Sequence, residues 1–176
     1  PRHGDVAGAE GPGVRVGGLS RAEQSRNREQ LRSIGRLCHN FGLEFCFATW
    51  QQTPWTRAQG RLVEGLADDE ERLADYCAAG IETFLRACPE IDGIQFRVNF
   101  EAGVGTKVSN DAFWKRCVNA VGRTGRPVKL QLRAKGLPDA LIRHALESGL
   151  ELEVHTKYWC EHTGLPYHLT RMREQE

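Results

Sequence analysis

Three segments of this chain divide their side chains in the same way, and that shared division constrains the fold more than any other feature. In residues 94–101, Ile94, Phe96, Val98 and Phe100 alternate with Gln95, Arg97, Asn99 and Glu101. In residues 128–135, Val128, Leu130 and Leu132 alternate with Lys129, Gln131, Arg133 and Lys135. In residues 150–157, Leu150, Leu152 and Val154 alternate with Glu151, Glu153, His155 and Lys157. A period of two is the mark of a strand with unlike faces. Each of these strands has one apolar face and one face of amides and charges.

The intervening segments have helical periodicity. LEFCFATW (43–50) reads as one more strand ahead of the three. A helix from Arg21 to about Asn40 precedes it, with Ser20 and Glu23 in a capping-box pattern. Leu31, Ile34, Leu37, Cys38 and Phe41 supply its apolar stripe, and Gly42 stops it. Further helices are predicted from about Asp68 to Ala87, near Asn110–Gly122, and over Pro138–Glu147. Residues 1–19 hold six glycines and two prolines without periodicity and read as loop or linker, leaving 20–176 as one domain. Strict alternation of strand and helix argues a parallel sheet with right-handed crossovers.

Parallel strands covered by helices on both faces normally read as near-continuous apolar runs. Here the apolar set must meet the helices, and the polar set must face elsewhere. An open sheet with a solvated face would satisfy this. A barrel interior satisfies it better, because charges can pair across strands and approach the mouth. A complete (β/α)8 barrel takes about 250 residues, and this chain has 176. The predicted fold class is therefore α/β, a parallel (β/α) barrel that is incomplete, with about four strands. The missing strands would come from the rest of a longer chain; the first residue, Pro1 rather than Met, leaves room for a leader or an upstream domain.

Charge and composition exclude several classes. Lys and Arg number 24 against 23 Asp and Glu, a net charge of +1, too balanced for non-specific nucleic-acid binding. Apolar runs stay under ten residues, too short to span a membrane, and no signal-peptide core is present. The six cysteines lack any C-x-x-C pair and sit mostly in periodic apolar segments. They read as free thiols, which favours a reducing, cytoplasmic compartment.

In a barrel the chemistry lies at the C-terminal ends of the strands and in the loops after them. Those positions are Trp50–Gln52, Asn99–Glu101, Arg133–Lys135 and His155–Lys157. Glu101 is the first catalytic candidate, a general acid if burial raises its pKa, or else a plain salt-bridge partner. Arg97, Arg133, Lys135 and Lys157 would converge on an anionic ligand such as a uronic acid, or compensate Glu151 and Glu153. His155, Glu161, His162 and His168 have no metal-ligand spacing, so a proton-transfer or hydrogen-bonding role is expected and no metal. Trp50, Trp55, Tyr158 and Trp159 suit the apolar face of a sugar ring or the packing of loops. No phosphate-loop pattern occurs, and no cofactor is expected.

Three segments, FATWQ (47–51), CPEIDGIQFRVNFEAG (88–103) and TKYWCEHTGLPYH (156–168), resemble bacterial glycoside hydrolases of the α-glucuronidase-like type. The resemblance implies a (β/α)8 catalytic domain acting on carbohydrate, with an acid after the fourth strand protonating the leaving oxygen. Asn99 and Glu101 fall in that neighbourhood, but as Asn-Phe-Glu rather than the common Asn-Glu dipeptide, which leaves the acid assignment open. Glycoside hydrolysis normally takes two carboxylates. The second is Glu161, Glu153, or a residue on strands this chain lacks. The expectation is a glycoside hydrolase with Glu101, Glu161 and His155 as catalytic candidates. Trp50, Gln51, Arg97, Asn99, Arg133, Lys135, Lys157, Tyr158, Trp159 and His162 are its candidate substrate contacts. The competing expectations are a barrel lyase or isomerase using Lys135 or His155 as base on an anionic small molecule, and a non-catalytic carbohydrate-binding protein.

Overall fold

A computed structural model describes residues 15–16, 20–50, 63–64, 66, 69–99, 102–104 and 110–156. Arg15–Val16 (β1), inside the stretch read as loop, pairs antiparallel with Val63–Glu64 (β3) in a small sheet of its own. The main sheet holds Cys46–Thr49 (β2), Gly93–Phe96 (β4), Lys129–Arg133 (β5) and Leu152–His155 (β6). All neighbouring pairs are parallel, in the order β2-β4-β5-β6. The helices are Arg21–Asn40 (α1), Glu70–Ala87 (α2), Asn110–Gly122 (α3) and Asp139–Glu147 (α4).

The spatial order of the large sheet follows the sequence. Crossovers of one hand stepping in one direction leave their helices on one face, and the packing agrees. Phe84 of α2 meets Phe47 of β2, and Trp114 of α3 meets Phe96 of β4. Leu141 and Ala145 of α4 join the same core, with Ile94, Leu130 and Leu132 fully buried beneath it. The apolar faces read from the sequence are therefore the helix-covered faces, and the fold is α/β. Among the described residues β2 pairs only with β4, and β6 only with β5.

The helix starts follow local chemistry. The Ser20 hydroxyl accepts from Glu23 N while the Glu23 carboxylate accepts from Ser20 N, completing the predicted capping box. Asp69 caps α2 through Arg72 N, one residue after the start read from the sequence. The α1 stripe departs from expectation. Leu31 packs against the core, yet Ile34, Leu37 and Phe41 lie exposed. The helix is anchored instead through its polar side. Gly35 is its buried residue, and a Cβ there would stand 2.7 Å from Glu90 Cβ. Arg32 and Arg36 bind the Glu90 carboxylate at 2.9 and 3.1 Å, and His39 binds Asp92 at 2.7 Å.

Two contacts fix the C-terminal end of β4, where site residues were expected. Asn110, the first residue of α3, donates to Val98 O at 2.8 Å and accepts from Trp114 Nε1 at 2.9 Å. Gly136 turns the chain after β5 with φ +69°, and its Cα lies so close to Asn99 that a Cβ would sit 3.3 Å from Asn99 Cβ. Asn99 is accordingly buried.

Candidate functional site

The face of the sheet opposite the helices is a set of rows. In a parallel pair, residues in register point the same way. The lowest row runs Cys46, Gly93, Lys129, Glu151, and the middle row Ala48, Gln95, Gln131, Glu153. Continuing each ladder by one residue gives the top row at the C-terminal ends: Trp50, Arg97, Arg133, His155. Three interstrand spacings make that row about 14 Å long.

The middle row closes into a hydrogen-bonded ring with His155. Gln95 Nε2 donates to Gln131 Oε1 at 3.2 Å and meets His155 Nδ1 at 3.2 Å. Gln131 Nε2 donates to Glu153 Oε2 at 2.9 Å, and His155 Nε2 reaches the same oxygen at 3.1 Å. From this ring the network extends both ways. The Cys46 thiol donates to Gln131 Oε1 at 3.1 Å. Lys129 bridges Glu153 at 3.1 Å and Glu44 at 2.9 Å.

These contacts set the charges. Hydrogen bonds from His155 and Lys129 hold the Glu153 carboxyl below its ordinary range, so it is an anion rather than a proton donor. Glu44 and Glu153 push the Lys129 ammonium up and keep it charged. Burial, with Glu153 and Glu44 nearby, raises the Cys46 thiol to about 11, which makes it a poor nucleophile. Cys38, Cys77, Cys88 and Cys117 are free thiols as well. Both ring nitrogens of His155 are engaged within the sheet, so it braces the site floor.

The top row faces outward from this floor. The Arg97 guanidinium lies over the Trp50 ring at 3.6 Å from its centroid, a cation–π stack at the mouth of β2 and β4. Trp50 keeps about half its surface in solvent. Arg133, on β5 next to β4, is half-buried, and among the described residues its side chain has no hydrogen bond or ion pair. Lys135 lies exposed two residues on. The arrangement can stack a flat apolar ring and hold an anion at its edge.

Of the residues singled out from the sequence, the structure pairs Trp50 with Arg97 and Arg133 with His155 at the C-terminal ends of the strands, with Asn99 and Lys135 just beyond them. Gln51, Glu101, Lys157, Tyr158, Trp159, Glu161 and His162 lie outside the described residues, as do Trp55 and His168. Sequence reasoning passed over the two amides, Gln95 and Gln131, which hold the ring together. The signal was present: GIQF and KLQL place glutamine at the same offset in neighbouring strands. Among the described residues no group of three His, Cys, Asp or Glu is placed to hold a metal ion. No family model, curated protein or solved structure matches this chain.

Proposed function

We propose that this chain forms one wall of a (β/α)-barrel glycoside hydrolase whose strand mouths bind an anionic sugar. The observation that carries the reading is the top row, which sets an aromatic face and two guanidinium groups at the C-terminal ends of parallel strands. The sequential strand order and the hydrogen-bonded polar face support a barrel interior, because that face is built to be enclosed. Trp50 offers one edge of a stacking platform, and Arg133 meets a uronate carboxylate with its planar fork. On this reading Glu101 is the general acid, placed two residues after buried Asn99, and the ligand is a carbohydrate. Glu161 or a carboxylate on another strand supplies the second group, while ionised Glu153, paired with Lys129, holds the floor together beneath the sugar.

Two measurements test it. Calorimetric titration should show glucuronate binding at least about tenfold tighter than glucose, the effect of one charge-assisted pair. Turnover of aryl glucuronides should fall about 10²- to 10⁴-fold in Glu101→Gln with little change in KM, as expected on losing a general acid. Equal affinity for the two sugars sinks the anion-binding part. Unchanged turnover in Glu101→Gln, or no hydrolysis of any glycoside in a broad panel, sinks the hydrolase part.

A further inference from the structure

A helix buries its apolar stripe and exposes its charged one. Helix α1 does so only in part: Leu31 packs on the core, but most of its apolar stripe stays outside. Its polar side, with Arg32, Arg36 and His39, is held against Glu90 and Asp92. Its apolar stripe, Ile34, Leu37 and Phe41, continues into Leu43, and each of the four is more than half exposed, Phe41 reaching 73%. A contiguous patch of this kind on a small protein marks a surface that is covered in use.

The far end of the sheet carries a matching patch. Val154 of edge strand β6 and Leu146 of α4 are large exposed apolar residues. Charges at the two ends are opposite. Helix α1 has five arginines against Glu23 and Glu29, of which Arg32 and Arg36 also share Glu90. Helix α4 carries Asp139 and Glu147 against the single Arg143. Each end also presents a parallel strand bonded on one side only among the described residues. The chain thus holds four helix–strand units, α1β2, α2β4, α3β5 and α4β6, with a basic apolar front and an acidic apolar back.

We infer that two copies of this chain pair edge to edge, β6 of each beside β2 of the other, to close an eight-stranded parallel barrel. The two-fold axis runs along the barrel, so each copy uses both edges and the contact is made twice. Helix α1 of one copy then covers Val154 and Leu146 of the other. Its stripe, which also carries exposed Arg26, meets the side of α4 that bears Glu147. The polar faces of both copies turn inward. The inference shares the barrel geometry proposed above but not its chemistry, so its test reads mass rather than activity.

Sedimentation equilibrium on the 176-residue chain is expected to give a discrete particle of twice the 19.8 kDa chain mass. Phe41→Glu and Leu37→Glu, at exposed positions, should leave the circular dichroism unchanged and weaken dimerisation by about tenfold or more. Glu147→Arg should weaken it too, and adding Arg26→Glu should recover part of the loss. A monomer at about 100 μM overturns the inference, and is the result expected if further β/α units of a longer chain close the sheet instead. A dimer indifferent to both Phe41→Glu and Leu37→Glu overturns it, as does open-ended association without a discrete mass.

Discussion

Gln95 gives its side-chain amide to Nδ1 of His155 at 3.2 Å, and this contact decides which nitrogen of the imidazole carries the proton. The Gln95 amide also donates to Gln131 Oε1. Reversing Gln131 would set amide against amide at Gln95 and oxygen against oxygen at Glu153, so its orientation is determined by its partners. His155 Nδ1 therefore accepts, and Nε2–H donates to Glu153. Nitrogen chemical shifts should show the neutral ring as the Nε2–H tautomer. Gln95→Leu should erase that preference and cost about 1–2 kcal/mol. A dominant Nδ1–H tautomer in the unaltered protein would contradict the ring.

Arg126 should matter more to stability than its place in a loop suggests. Its guanidinium donates to Ile91 O at 2.8 Å, Leu85 O at 3.2 Å, Cys88 O at 3.3 Å and Pro89 O at 3.4 Å. These are carbonyls at the end of α2 and the turn after it, where a helix leaves acceptors without partners. Burial lowers the Arg126 pKa, while Asp92 opposes the shift. Arg126→Met keeps the stem and removes the donors, and should lower the unfolding free energy by about 2–4 kcal/mol. Urea denaturation reads this directly. A loss below about 0.5 kcal/mol would show that water replaces the guanidinium without cost.

Much of this architecture is legible in the sequence, for identifiable reasons. The three alternating segments determine which face the helices cover, and the structure places Ile94, Leu130 and Leu132 under them. The strands end sooner than the alternation suggests. The alternation in 94–100 continues past Phe96, but the ladder stops there, and the chain instead bonds Asn110 to Val98 and turns at Asn99. In helix α1 only Leu31 of the apolar stripe packs on the core while Ile34, Leu37 and Phe41 stay exposed, because periodicity shows that a stripe exists but not what covers it. The ring of Gln95, Gln131, Glu153 and His155 depends on interstrand register and on rotamers, neither of which is written in one strand alone. Glu101, central to the sequence reading, lies outside the described residues.

Acid should unfold this protein through a small set of carboxylates. Arg32 and Arg36 hold Glu90 below its ordinary pKa although burial opposes them. At Asp92 burial pushes upward, but the Phe45 amide and His39 outweigh it and the net shift is down. Glu153 is held down by His155 and Lys129. A carboxylate with a folded pKa below its unfolded value binds fewer protons when folded. Its stabilisation is present above the unfolded pKa and drains away as pH falls through the folded one. Stability should be flat above about pH 5 and drop steadily below it. Glu90→Gln should be less stable at neutral pH and less sensitive to acid. An acid slope identical to that of the unaltered protein would remove Glu90 from the set.

Trp50 and Arg133 should separate the two halves of ligand recognition. The Trp50 ring is covered on one side by Arg97 at 3.6 Å, which leaves the rest of its surface to solvent and to a sugar. Trp50→Ala should then weaken neutral and anionic sugars alike, because stacking ignores a remote carboxylate. Arg133, half-buried in the same row, acts on charge. Arg133→Ala should cost a uronate about 10- to 100-fold in affinity, the value of a charge-assisted hydrogen bond, and leave the neutral sugar nearly unchanged. Arg133→Lys should recover only part, since a point charge lacks the planar fork. Titrating glucuronate and glucose against the three variants checks both statements. Equal losses for the two sugars in Arg133→Ala would make Arg133 a brace of the strand end and move the anion contact to Arg97 or Lys135.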